Sequence, residues 1–365
     1  MKVMSILGTR PELIKMSEII KKLDKHTKHI FVHTGQNYDP QLSDVFYKDL
    51  DLRRPDVQLE WNGESLGRGI GTNFLMMEGV IKEYKPDAVV ILGDTNSAIA
   101  GGYLAKRMKI PLFHLEAGNR CFDDNVPEEI NRRIMDHISD VNMTYTQGQR
   151  LYLRDEGVAK ERIFVMGSPM KEVFNNLMIE INTSDVLERL EIETDKYFLV
   201  SIHRDENTEI PENLDVLLDT LNEIASTYEM PVIVSTHPRM RKKLDGRKMD
   251  KRVKLMPPFG FIDYNALQTH AKCVISDSGT IAEESSILAF PAITIRNAHE
   301  RAEATDVGSI LMTGVDKQSI MDCLKIVDTP TTIPDDYDVD NCSDRVLKVI
   351  LGYTPYVNRY VWHKT

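Results

Sequence analysis

The chain has 365 residues, 42 % hydrophobic and 7 % aromatic, which suits two globular α/β domains and not a disordered polymer. Its net charge of −11, from 56 acidic against 45 basic residues, argues against a nucleic-acid-binding face, and no apolar run reaches the roughly 18 residues of a membrane span. Cys121, Cys273, Cys323 and Cys342 are scattered with no CxxC pair, so neither a zinc site nor a disulfide framework is expected. That cysteine usage fits a reducing cytoplasm, and Met1–Leu7 reads as a short strand instead of a secretion signal.

Taken in order, the first strand is expected at Val3–Leu7, followed by Gly8-Thr9-Arg10-Pro11 and a helix at Glu12–Leu23. Arg10 and Lys15 are candidates to meet an anion near that helix N-terminus; a capped helix with surface charges explains them equally well. The glycine spacing is not GxGxxG, so no dinucleotide cofactor is expected. A strand at Ile30–His33 follows, then one at Ala88–Leu92 that ends in Gly93-Asp94-Thr95 before a helix at Asn96–Arg107. Asp94 could act as a general base, although an N-cap is the better local reading. Strand Leu112–Leu115 leads into Glu116, a carboxylate that needs a partner or a task. Glu128 and Glu129 open a helix at Glu128–His137, where acidic residues suit the helix dipole. Strands at Asn142–Tyr145 and Ile163–Met166 complete the first series.

A long helical stretch, Met170–Leu190, separates this series from a second, with strands at Tyr197–Ile202, Val232–Ser235, Val253–Met256, Cys273–Ser276 and Ala292–Ile295 and a helix at Leu214–Tyr228. Strand-helix alternation of this kind predicts parallel sheets covered on both faces. Ligands then bind beyond the carboxyl ends of the strands. In the second series those ends carry His203-Arg204-Asp205-Glu206, His237 and the run Asp277-Ser278-Gly279-Thr280. Ser278, Gly279 and Thr280 form an anion cradle at a helix N-terminus, and Glu284 is placed to reach ribose hydroxyls. Thr280 and Glu283 also have capping-box spacing. A Pro- and Asp-rich connector at 329–344 precedes a final helix at Arg345–Leu351.

The ordered stretches GTRPELIK, GDTNS, HLEAGNR, VPEEINRR, HRDEN, THPR and DSGTIAEES resemble the non-hydrolysing UDP-N-acetylglucosamine 2-epimerase family along essentially the whole chain. Within it, HTGQNYDPQLSDVF, PFGFIDYNALQ and SDSGTIAEESSIL are most similar to the branch that forms UDP-N-acetyl-L-fucosamine from its 6-deoxy-L-talose epimer for surface polysaccharides. The resemblance implies two Rossmann-like domains in a GT-B-like arrangement with the active site in the cleft. Their bounds are 1–169 with 345–365, and 170–344. It implies catalytic roles for Asp94, Glu116, Glu128 and His203. It implies substrate contacts from Arg10, Lys15, Arg204, Glu206, His237, Ser278, Gly279, Thr280, Glu284 and Arg301, with Tyr264 stacked near uracil. It further implies a homodimer, with no metal or cofactor. Two departures stand out. Ala302 replaces a proline after Arg301, which leaves the role of Arg301 open, and Asp205 replaces a frequent arginine. A hydrolysing epimerase, a GT-B glycosyltransferase and a UDP-sugar sensor are the competing readings; an acceptor requirement would mark the transferase, and absence of turnover the sensor.

Overall fold

The computed structural model describes residues 1–36, 40–61, 64–236, 243–244, 247–329 and 332–364. The chain divides into two compact units, Met1–Asn175 with Asp336–Thr365, and Asn176–Asp335. Each is a doubly wound parallel sheet, so the expected pair of Rossmann-like α/β units is present.

In the first unit the strands are β1 (Lys2–Leu7), β2 (Lys28–His33), β3 (Val57–Gln58), β4 (Ala88–Leu92), β5 (Leu112–Leu115), β6 (Val141–Thr144) and β7 (Ile163–Val165). Their order in the sheet is β3-β2-β1-β4-β5-β6-β7. In the second unit β8 (Phe198–Ser201), β9 (Val232–Ser235), β10 (Val253–Met256), β11 (Cys273–Ser276), β12 (Ala292–Thr294) and β13 (Leu311–Met312) are ordered β10-β9-β8-β11-β12-β13. The interior strands are apolar on both faces because helices cover both. Val89, Val90 and Ile91 of β4 and Leu199 and Val200 of β8 are all fully buried.

Strand order reverses between β1 and β4 in one sheet and between β8 and β11 in the other. At such a switch point the loops leave in opposite directions and open a crevice at the carboxyl ends. The sequence places Gly8–Arg10 and Gly93–Thr95 at the first crevice, and Ile202–Arg204 and Asp277–Thr280 at the second. Gly8 is required by close approach: a Cβ there would lie 2.0 Å from Ser97 Oγ and 2.5 Å from Thr34 Oγ1.

Three expectations are corrected. The stretch Met170–Leu190 is two helices, Met170–Asn182 and Val186–Leu190, because Thr183 and Ser184 bond their hydroxyls to local groups and the backbone turns. The last helix is Cys342–Tyr360, running through Gly352 and Pro355 well past the expected end at Leu351. It packs on the helix Arg10–His26 of the same unit and buries Thr354 and Val357, and that burial outweighs the breaker residues. The two-residue edge strands β3 and β13 were not anticipated; they are too short to show a period.

Candidate active site

In the first unit, Glu116 follows the last residue of β5 directly. Its φ of +65° is unfavourable for a side chain with a Cβ, so the surrounding structure must hold it there. Lys15 Nζ donates to Glu116 Oε2 at 2.6 Å, Tyr145 Oη donates to the same oxygen at 3.1 Å, and Asn119 Nδ2 donates to Oε1 at 3.2 Å. Glu116 and Lys15 are both buried. Lys15 thus pairs with a buried carboxylate. Arg10 is the first residue of its helix, with its guanidinium 5.7 Å from the centre of the Phe46 ring.

Asp94 follows β4. Arg132 grips Oδ2 through Nε at 3.1 Å and Nη2 at 2.7 Å, and Asn131 donates to the Asp94 carbonyl. The expected N-cap role falls to Thr95, whose hydroxyl accepts from Ala98 N–H, so Asp94 is spared for other work. Glu128 is exposed and lies three and four residues before Asn131 and Arg132, on one face of the helix Pro127–Ile138. Its neighbour Glu129 is the structural member of the pair, fully buried against Arg132 and Arg133.

In the second unit, Asp277 is the hub. It follows β11 and is fully buried. Its carboxylate accepts from the backbone N–H groups of His203 and Arg204, from Asn207 Nδ2, and lies 2.9 Å from His203 Nδ1. Burial opposes the charge, but His203 and the converging donors hold its pKa down to about 2. Arg204 Nε donates to the Asp277 carbonyl at 2.9 Å. The His203 side chain is half exposed, so its outer edge is open to solvent. Glu206 is exposed in the short helix Asp205–Thr208.

Ser278, Gly279 and Thr280 lead into the helix Ile281–Leu288. The expected capping box is absent there: Thr280 Oγ1 donates to Glu284 at 2.6 Å, and Glu283 turns away to Arg301. Arg301 is almost fully buried, with Nη1 2.8 Å from Glu283 and Nε donating to the Gly279 carbonyl at 2.8 Å. It thus shapes the Ser278–Thr280 loop from behind. Ala302 begins the helix Ala302–Asp306, the first-turn position that proline favours, so the helix forms without the ring. Glu284 also accepts from Gln268 Nε2 at 2.7 Å. The Tyr264 hydroxyl meets the side chains of Ser201 and Ser276 at the ends of β8 and β11, and burial pushes its pKa up. His237 lies outside the described residues, and so does the side chain of Asp205.

Sequence reasoning passed over Glu12, Asp277, His114 and Asp136 as site residues. Glu12 Oε2 accepts from the N–H groups of Gly8 and Thr9 and from the Thr9 hydroxyl, and Oε1 accepts from Thr95 Oγ1. It thereby ties the loop after β1 to the loop after β4. Burial outweighs these four donors and raises its pKa to about 7. An ionisable residue immediately after an apolar strand was the available signal for Asp277. Glu12 and Asp136 gave none beyond ordinary helix positions. Among the described residues no cluster of His, Cys, Asp and Glu could hold a metal ion, and no helix is long and apolar enough to cross a membrane.

A family model described as UDP-N-acetylglucosamine 2-epimerase matches residues 21–351. A UDP-N-acetylglucosamine 2-epimerase of Methanocaldococcus jannaschii is 36 % identical over 338 residues, 90 % of this chain and 92 % of that one. Among solved structures, a UDP-N-acetylglucosamine 2-epimerase from Rickettsia bellii is 44 % identical with a TM-score of 0.93, and all of each chain is covered. The Methanocaldococcus jannaschii enzyme in complex with UDP-GlcNAc and UDP superposes with a TM-score of 0.90 at 34 % identity, covering 96 % of this chain and 100 % of that one.

Proposed function

Because this chain belongs to the UDP-N-acetylglucosamine 2-epimerase family, and is an isomerase with it, we propose that it inverts C2 of a UDP-linked N-acetylhexosamine by eliminating and re-adding UDP. The observation that carries this reading is the pair of carboxylates, Asp94 and Glu116, at the ends of adjacent strands, each gripped by a cation. C2 is not next to a carbonyl, so enolisation is not available. A base takes the C2 proton, the C–H electron pair becomes the C1=C2 bond, and the C1–O bond breaks onto the diphosphate. The product pair is a 2-acetamidoglycal and UDP. A phosphate oxygen then attacks C1 while an acid delivers a proton to the other face of C2.

Two proton-handling groups are needed, one for each face. Glu116 is the best held of the carboxylates, and Asp94 and Glu128 are its partners in the first unit. In the second unit, His203 and Arg204 neutralise the departing diphosphate, with Arg10 and the Ser278–Thr280 loop at its helix N-terminus assisting. Glu284 holds the ribose, and Tyr264 and Glu206 line the nucleotide site. Arg301 acts by fixing the loop.

For the sugar, the stretches quoted above favour UDP-N-acetyl-L-fucosamine and its 2-epimer. The relatives named above favour UDP-N-acetylglucosamine instead. Proton NMR in D2O with each sugar tests both levels: loss of the C2 proton signal with appearance of the epimer supports the reaction, and the faster sugar identifies the substrate. If neither bound sugar exchanges C2 hydrogen, the epimerase reading fails for both.

The working form is a homodimer. Leu75, Tyr103, Ile130 and Ile134 are exposed on three neighbouring helices, Leu66–Tyr84, Asn96–Arg107 and Pro127–Ile138, an apolar face suited to a second copy of the chain. Sedimentation of the wild type and of Ile134→Asp tests it. Four free cysteines support a cytoplasmic setting.

A further inference from the structure

Next to the proposed proton-handling carboxylates, the first unit buries a histidine that the reaction above does not use. His114 lies in β5, two residues before Glu116, and is fully buried. Its Nε2 is 2.8 Å from the carbonyl oxygen of Gly93, the residue before Asp94. Its Nδ1 is 3.0 Å from Oδ1 of Asp136. A carbonyl oxygen can only accept. The Asp136 carboxylate already accepts from Gly118 N–H at 3.1 and 3.2 Å and from Arg120 Nη1 at 2.6 Å, so it too presents acceptor oxygens. A neutral imidazole has one N–H and would leave its other nitrogen facing an acceptor, lone pair to lone pair. The doubly protonated ring, which sets a positive charge 3.0 Å from Asp136, is therefore the favoured form. Burial works against that charge, but Asp136 outweighs it and lifts the His114 pKa above the ordinary value.

The chain of contacts has a direction. It runs from Asp94 through the Gly93 carbonyl to His114, on to Asp136, and through the Gly118 N–H to the turn that holds Glu116 at positive φ. We infer that His114 is a positioning residue: a buried imidazolium that, with Asp136, clamps the loop carrying Asp94 to the loop carrying Glu116. This inference rests on the epimerase reading above. The charged groups around the ring are Asp136 and Arg132 from the helix Pro127–Ile138, Asp94 from the loop after β4, and Arg120 from the loop after β5, itself paired with Glu156. His114 is thus a second cation near Asp94, beside Arg132, and favours the ionised carboxylate.

Three measurements test this. In the wild-type chain, the ring 15N signals of His114 should still be those of an imidazolium at pH values above the ordinary histidine pKa of roughly 6.5. In His114→Gln the amide can still donate to Gly93 but carries no charge. Its kcat for C2 hydrogen exchange should fall roughly 10- to 100-fold while KM stays within about twofold, as expected when reacting groups are displaced and binding is not. The acid limb of its kcat profile should move to higher pH, because Asp94 has lost a cation. Asp136→Asn should show the same limb shift. Neutral-imidazole signals in the wild type, or a His114→Gln enzyme with an unshifted acid limb, would overturn the role. The 15N titration needs no variant, so a misfolded substitution does not remove the test. A wild type that exchanges no C2 hydrogen defeats the epimerase reading, and this role with it. An active wild type beside an unaltered variant defeats this role alone.

Discussion

The two units share one topology and use it in opposite ways. At the β1/β4 switch point and the neighbouring end of β5, the first unit collects acids and pairs each with its own cation: Glu116 with Lys15, and Asp94 with Arg132. At the β8/β11 switch point the second unit buries Asp277, whose task is to gather the N–H groups of the loop opposite and leave the His203 side chain half exposed. A doubly wound sheet supplies the crevice, and on the proposed reading the residues at the strand ends decide whether it handles protons or anions.

The sharpest test of this contrast is Glu116→Gln. It keeps the shape of the side chain and removes a carboxylate proposed to handle a proton, so kcat should fall by roughly a thousandfold while UDP affinity, measured by calorimetry, is unchanged. Equal losses of rate and of UDP affinity would erase the division of labour. Next in size is Arg301→Met, which strands the buried Glu283 carboxylate and frees the Gly279 carbonyl; the cost is about 3 kcal/mol in chemical denaturation, with weaker UDP binding. Asp277→Asn should follow at about 2 kcal/mol, since several donors lose a charged acceptor. Its pH dependence has a defined sign. The folded pKa is depressed from 3.8 to about 2, so the stability Asp277 contributes is present above pH 3.8 and lost as pH falls through 2, and the variant should lack that loss.

At acid pH the smallest effect belongs to Glu12→Gln. Here the sign is reversed. The folded pKa is raised from 4.5 to about 7, so the contribution of Glu12 is full below pH 4.5 and lost as pH rises through 7. Glutamine can keep its oxygen toward Gly8 and Thr9 and donate to Thr95, as a protonated glutamic acid would. The difference in Tm between variant and wild type should therefore grow from pH 4.5 to pH 8. A constant difference would mean that Glu12 does not titrate in that window.

The sheets were legible in the sequence because fully buried parallel strands are continuous apolar runs, and β4, β9 and β11 fall where those runs lie. Boundaries at β6, β8 and β12 moved by a residue, where hydrogen-bonding partners decide the limit and apolarity does not. The last helix was read too short because Gly352 and Pro355 speak locally for an end, while Val357 finds a buried place further on. At the site, motif residues at strand ends could be named, but not their partners. Lys15 and Glu116 are 101 residues apart, and Arg132 and Asp94 are 38 apart. Such pairings exist only once strand order is known. Local rules failed at both helix starts where a second residue competed: Thr95 took the cap from Asp94, and Arg301 drew Glu283 out of its capping box.

The first unit is assembled from two stretches of chain separated by the whole of the second, and the helix Cys342–Tyr360 returns to lie on the helix Arg10–His26. During synthesis the first unit must wait with that surface uncovered, while Asn176–Asp335, being continuous, can close as soon as it leaves the ribosome. On the proposed reading, the half assigned to proton handling is therefore the last to mature, and a nascent chain with a complete nucleotide-binding unit precedes one able to act.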